Sequence, residues 1–143
     1  AGRYKERKPE MEVLHLKTEK HELHDLTAQV REIVARSGVK DGICLVYTPH
    51  STAGIVIACG IDPNALTDVD RLVRKLVPID SPFAHTVDPA TDAAGHLKSI
   101  LTNAQQTFPV ENGELMLGGS QEIYFFEFDG PRDRKVYVQV VGA

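Results

Sequence analysis

The 143-residue sequence contains no tryptophan, two methionines and two cysteines. Two cysteines cannot supply the disulfide framework on which small secreted domains rely, so the fold must rest on a hydrophobic core. Cys44 and Cys59 both lie in apolar runs and are expected to be reduced, buried and inert. Neither sign of charge dominates, since the formal net charge is −4. No basic surplus points to nucleic acid, and no acidic block points to a disordered tail. No apolar run approaches the ~18 residues that span a bilayer, so no membrane association is expected. The opening AGRYKERKPEMEV has charge but no apolar secretion-signal core, which makes the cytoplasm the expected compartment. Repeats, low-complexity segments and linkers are missing too. What remains, 42% hydrophobic and 25% charged, reads as one globular domain over residues 12–143 after a polar lead-in over residues 1–11.

Periodicity divides the chain. EVLHLKT alternates as a strand, with Val13 and Leu14 near its centre. Leu26, Val30, Ile33 and Val34 then share one helical face, which Asp25 can cap and Gly38 can end. GICLVYTP and AGIVIAC are rich in β-branched residues and read as two buried strands, the first ending at Pro49. DPNALTDVDRLVRKL has an Asp62 cap and Pro63 in the first helical position; Leu66, Val69, Leu72, Val73 and Leu76 form its apolar face. VPIDSPFAHTVDPATD is a long loop, and DAAGHLKSILTN a short helix starting near Asp92. ENG marks a hairpin between QTFPV and ELMLGG, and DGPRDR a second between EIYFFEF and KVYVQVV. Strands outnumber helices, and two hairpins join four of them. The expected class is α+β, a mostly antiparallel, sandwich-like sheet core with a few covering helices.

The histidines carry the chemical interest. His15, His21 and His24 sit among charged residues and read as surface histidines. His50, His85 and His96 sit in loops or at element edges, in TPHST, FAHTV and AGHLK, where a rigid scaffold can present them. Three imidazoles with an open fourth position suit a zinc-like ion, although no short H-x-x-x-H spacing brings these together. Asp68 borders the apolar stripe of the second helix and could complete or orient such a set, whereas Asp70 fits an ordinary solvated carboxylate better; Asp88 and Asp92 flank the long loop. Lys98 and Ser99 follow His96 in HLKS, and Arg132 and Arg134 sit in the DGPRDRK turn, where a guanidinium can fork a phosphate. Gln121 follows the paired glycines of GGSQE. A Ser51 nucleophile is disfavoured: neighbours in a turn point different ways, and no G-x-S-x-G elbow is present.

The ordered series HSTAGIVI…DP…D, H…D…HLKS and PVENGELMLGGSQEIYFFEFDGPRDRKVYV resembles a small single-domain family, the secondary thiamine-phosphate synthase (YjbQ-like) family, over roughly residues 12–141. That resemblance implies an α+β, sandwich-like homotrimer. It also implies joining of a pyrimidine pyrophosphate to a thiazole phosphate, with release of pyrophosphate. The family's recurrent polar positions match His50, Asp68, His85, His96, Lys98, Ser99, Gln121 and Glu127, a set suspected of forming a metal or phosphate site. The chain departs from the pattern at Ala58 and Cys59, where the family has Asn-Glu, and at Gly119 and Ser120, where it has Thr-Trp. The first change removes a carboxylate and the second an aromatic wall.

The expectation is therefore a transferase of the thiamine-phosphate type, or a relative acting on another phosphorylated small molecule. Its divalent metal, zinc or magnesium, would be held by His50, His85 and His96, with Asp68 as ligand or support. Lys98 would neutralise a leaving pyrophosphate; Ser99, Gln121, Glu127 and Arg132 would bind substrate or phosphate. No organic cofactor is implied. The rivals are a non-catalytic trimeric metal- or ligand-binding protein and a metal-assisted hydrolase.

Overall fold

The computed structural model describes residues 11–143, so residues 1–10 of the lead-in expected over residues 1–11 lie outside the described residues, and Met11 opens the first strand instead. Eleven elements follow in order. They are β1 (Met11–Lys17), β2 (Leu23–Asp25), α1 (Thr27–Ser37), β3 (Gly42–Tyr47), β4 (Ala53–Ala58), α2 (Pro63–Leu76), α3 (Ala90–Thr102), β5 (Gln105–Glu111), β6 (Glu114–Leu115), β7 (Glu122–Glu127) and β8 (Asp133–Gly142). They build two antiparallel sheets, one ordered β1-β8-β3-β5-β6 and the other β2-β7-β4. The α+β, sandwich-like class is the one read from the sequence.

Alternation decides which faces meet. Cys44 and Val46 of β3, Phe108 and Val110 of β5, and Val136, Val138 and Val140 of β8 turn inward from the larger sheet. Ile55 of β4 and Ile123 and Phe125 of β7 answer from the smaller one, and Val30, Ile33 and Val34 of α1 join the same core. The smaller sheet is covered on its other face as well. Gly54 of β4 lies against Thr102 of α3, and Gly95 of α3 lies against Thr52 and Phe128, each where a Cβ would crowd the neighbour. Burial on both faces explains why β7 reads as an unbroken apolar run rather than an alternating one.

Several local expectations hold. Gly38 ends α1 at φ 74°. Asn112 and Gly113, with φ of 52° and 77°, close the β5–β6 hairpin, as a type I′ turn requires. Asp62 caps α2, its carboxylate accepting the Asn64 N–H at 2.9 Å. Others are corrected. DGPRDR does not close a hairpin: β7 pairs with β2 and β4, and β8 with β1 and β3, so this connection crosses between sheets. Asp25 ends β2 and Leu26 is the α1 cap position, although the Asp25 carboxylate still accepts the Thr27 N–H at 2.8 Å. α3 starts at Ala90, which places Asp92 in its first turn. Cys59 lies past the end of β4 and is exposed, while Cys44 is buried; both are free thiols. Burial pushes the Cys44 thiol up to about 11. No described residue of α2 is buried: Leu72 and Leu76 of its apolar stripe are 57% and 62% exposed. Among the described residues no helix is long and apolar enough to cross a membrane.

Candidate metal centre

Helical spacing builds the first part of the site. Asp92 and His96 stand four residues apart on α3 and so project from one face. The loop between α2 and α3 brings His85 onto the same spot. His85 Nε2 and His96 Nε2 lie 2.9 and 3.0 Å from the shared Asp92 Oδ2. One ligand atom from each of the three residues falls within 4.8 Å of the others. The two imidazole rings meet edge to face with centroids 5.4 Å apart. His85, with the help of His96, holds the Asp92 carboxyl below the usual carboxylate range against the opposing effect of burial. Asp88 adds a carboxylate 3.3 Å from His85 Nε2.

A pocket of about 380 Å³ opens on this cluster, walled by Phe83, Ala84, Ala93 and Leu97. Near Asp92, Asp129 accepts a hydrogen bond from Thr91 Oγ1 at 3.1 Å and pairs with Arg132 at 2.7 Å. Arg132 is close enough to Asp92 for the two charges to act on one another. Two imidazoles and a carboxylate, beside an open pocket, are a donor set for a borderline ion such as Zn²⁺ rather than for Mg²⁺, which prefers oxygen ligands alone.

His50 is not part of this cluster. Past Tyr47, β3 can no longer pair with β8, because Pro49 cannot donate to the ladder. Side chains complete the pairing instead: Lys135 N–H donates to His50 Nε2 at 2.9 Å, and Thr48 Oγ1 donates to the Lys135 carbonyl at 3.2 Å. The His50 Nε2 lone pair is thereby used, and the neutral ring carries its proton on Nδ1. Burial and then the Arg134 charge lower the His50 pKa, which keeps it neutral.

The remaining expected site residues are dispersed. Asp68 is exposed on α2; the neighbouring Asp70 is the structured carboxylate, 2.6 Å from Arg74 and 3.7 Å from His21. Lys98 stands two residues after His96, about 200° around the helix. It faces inward, 1% exposed, with its ammonium 6.0 Å from the Phe128 ring centroid. Burial pushes that ammonium below its ordinary range. Ser99 Oγ donates to the Ala53 carbonyl at 2.7 Å and ties α3 to β4, so its hydroxyl has a structural partner. Gln121 Oε1 accepts the Gly118 N–H at 2.8 Å and closes an exposed turn.

Glu127 is wholly buried. It accepts hydrogen bonds from Arg134 Nε at 2.7 Å, Thr18 Oγ1 at 2.6 Å and the Asp129 N–H at 2.9 Å, with a further Arg134 Nη2 contact to Oε1. Burial would raise its carboxyl, but these donors hold it below the usual range. It anchors the β7–β8 crossing rather than touching a pocket. Of the expected residues, then, His85 and His96 come together, with Arg132 near enough to Asp92 for their charges to interact. Asp92 and Asp129 complete the group. The first was legible as D-x-x-x-H on one helical face; the second had no local signal.

A family model described as "UPF0047 protein YjbQ-like" matches residues 12–143. A UPF0047 protein of Methanocaldococcus jannaschii is 41% identical over 128 residues, covering 89% of this chain and 91% of that protein. The UPF0047 protein YugU of Bacillus subtilis is 38% identical over 133 residues, covering 92% and 99%. Among solved structures, a YbjQ-like protein of unknown function from Sulfolobus solfataricus superposes with a TM-score of 0.90 at 33% identity, covering 95% and 99% of the two chains.

Proposed function

The chain belongs to the UPF0047 YjbQ-like family, and from that membership we propose that His85, Asp92 and His96 hold a zinc-type divalent metal at a site that acts on a phosphorylated small molecule. The observation that carries this reading is the convergence of three ligand atoms within 4.8 Å at the mouth of a pocket. A bound metal would supply Lewis-acid neutralisation of developing phosphate charge. Arg132 presents a guanidinium to the same region. Its Nε and Nη2 are held by the carbonyl and carboxylate of Asp129, at 2.9 and 2.7 Å, which fixes the plane of the group and would leave Nη1 for a phosphate oxygen. Phe83, Ala84, Ala93 and Leu97 offer an apolar wall to the organic part of a substrate.

The finer reading is transfer of the thiamine-phosphate synthase kind, in which pyrophosphate leaves as the pyrimidine joins the thiazole phosphate. Spreading the charge of that leaving group is the task Arg132 and the metal would share. Several copies would assemble, a homotrimer in the reading the resemblance supplies, through the exposed apolar stripe of α2. The free thiols Cys44 and Cys59 fit a reducing cytoplasm.

The test is metal analysis of the purified protein together with zinc titration. Wild type should take up a single equivalent, while Asp92→Ala and His96→Ala should each lose at least about tenfold in affinity. Equal metal content in wild type and both variants would sink the proposal. Metal uptake without turnover of a pyrimidine pyrophosphate and thiazole phosphate would leave the non-catalytic metal-binding alternative.

A further inference from the structure

A second pocket, of about 410 Å³, lies where β1 ends, β8 begins and the β3–β4 connection crosses the larger sheet. Lys17, His50, Arg134 and Lys135 line it, together with His15 and Asp133. Three cationic side chains against one carboxylate reverse the sign of a chain whose formal net charge is −4.

Each donor is prepared. Arg134 is 4% exposed, and its Nε and Nη2 are engaged by Glu127 and Thr52. A guanidinium so fixed keeps its plane, and those bonds leave Nη1 unengaged. His50 is fixed as well. With Nε2 accepting from Lys135, the ring must offer Nδ1–H as a neutral donor. The field at the ring is positive: Arg134, Lys135 and Arg132 all oppose its protonation, with Glu127 the counterweight. Lys17 sits opposite Asp133 in the β1–β8 register, exposed at the rim. A floor of fixed N–H donors under a mobile ammonium is the arrangement that holds a tetrahedral oxyanion.

We propose that this pocket, formed by Lys17, His50 and Arg134, binds the phosphate group of a small phosphorylated molecule, at a site separate from the His85–Asp92–His96 cluster. The inference does not depend on the metal reading, because none of these three residues belongs to the cluster.

The experiment titrates the full chain with inorganic phosphate at low salt, in the presence of a chelator, while the imidazole resonances are followed by NMR. Phosphate should shift the His50 resonances and raise the midpoint of its titration. Lys17→Met, an exposed change that leaves the core intact, should weaken binding about tenfold, the loss expected of one charge-assisted hydrogen bond. His96→Ala should bind phosphate as wild type does, whether or not it loses metal. Acetate at the same concentration should compete poorly. The proposal is overturned if His50 does not respond, if Lys17→Met binds unchanged, if His96→Ala abolishes the response, or if acetate binds as well as phosphate.

Discussion

At the residue scale, the most deeply buried ion pair among the described residues is Glu127–Arg134, with 0% and 4% of the two side chains exposed. Removing one partner strands a buried charge. Glu127→Ala should therefore lose about 3–5 kcal/mol in urea unfolding. Replacing both, as Glu127→Leu with Arg134→Met, should cost less than either single change, because no charge is left without a counter-ion. The same pair sets a pH dependence. The Glu127 carboxyl is held low, so its contribution to stability is present above the ordinary carboxylate pKa near 4.5 and is lost as pH falls through the folded value. His50 acts with the same sign in a higher window. Its folded pKa lies below 6.5, so its contribution is complete above that value and is lost on acidification. Melting curves between pH 7.5 and 5 should fall more steeply for wild type than for His50→Gln, which keeps an acceptor for Lys135 N–H but cannot be protonated. Parallel curves would remove His50 from the account; His21, also lowered by burial, would remain.

At the element scale, α2 and α3 are contrasting cases. α3 is held to β4 by small residues: a Cβ on Gly54 would stand 2.1 Å from Thr102 Oγ1. Gly54→Ala should thus force the helix outward and cost about 1–3 kcal/mol in denaturant unfolding. α2 has a side-chain cap at Asp62 and an apolar stripe, yet none of its residues is buried within the protomer. Its Leu72 and Leu76 are joined in exposure by Ile79 of the following loop, at 53%. Lysine at both leucines should leave the protomer's unfolding free energy within about 0.5 kcal/mol of wild type, as surface changes do. In sedimentation the same variant should run smaller than wild type. Equal sizes would show that this stripe is not what copies share.

At the scale of the whole molecule, the fold depends on strands that leave one sheet and enter the other. β3 and β4 are consecutive in sequence but lie in different sheets, and so do β7 and β8. Each crossing places polar residues where two sheets part, and both pockets lie near such joints or beside α3. The His85–Asp92–His96 cluster joins the 77–89 loop, through His85, to the body of the molecule through α3. Zinc should therefore raise Tm, by about 2.7 kcal/mol of stability at a hundredfold excess over Kd, and a chelator should reverse the gain. In His85→Ala the gain should shrink, since the loop no longer contributes a ligand.

Local chemistry alone determined a good deal. Periodicity and β-branching marked most strands and all three helices; Gly38, Asp62–Pro63 and Asn112–Gly113 marked their ends, because caps and left-handed turns depend on only a few neighbouring residues. The Asp92–His96 face was equally local. Tertiary structure decided the rest. The apparent hairpin at DGPRDR became a crossing, because strand pairing depends on which faces must be buried and not on turn residues alone. His85 reached Asp92 through a loop whose path no pattern encodes. His50, spelled like a ligand, accepts the Lys135 N–H where β3 stops pairing with β8, and a used lone pair cannot also bind a metal.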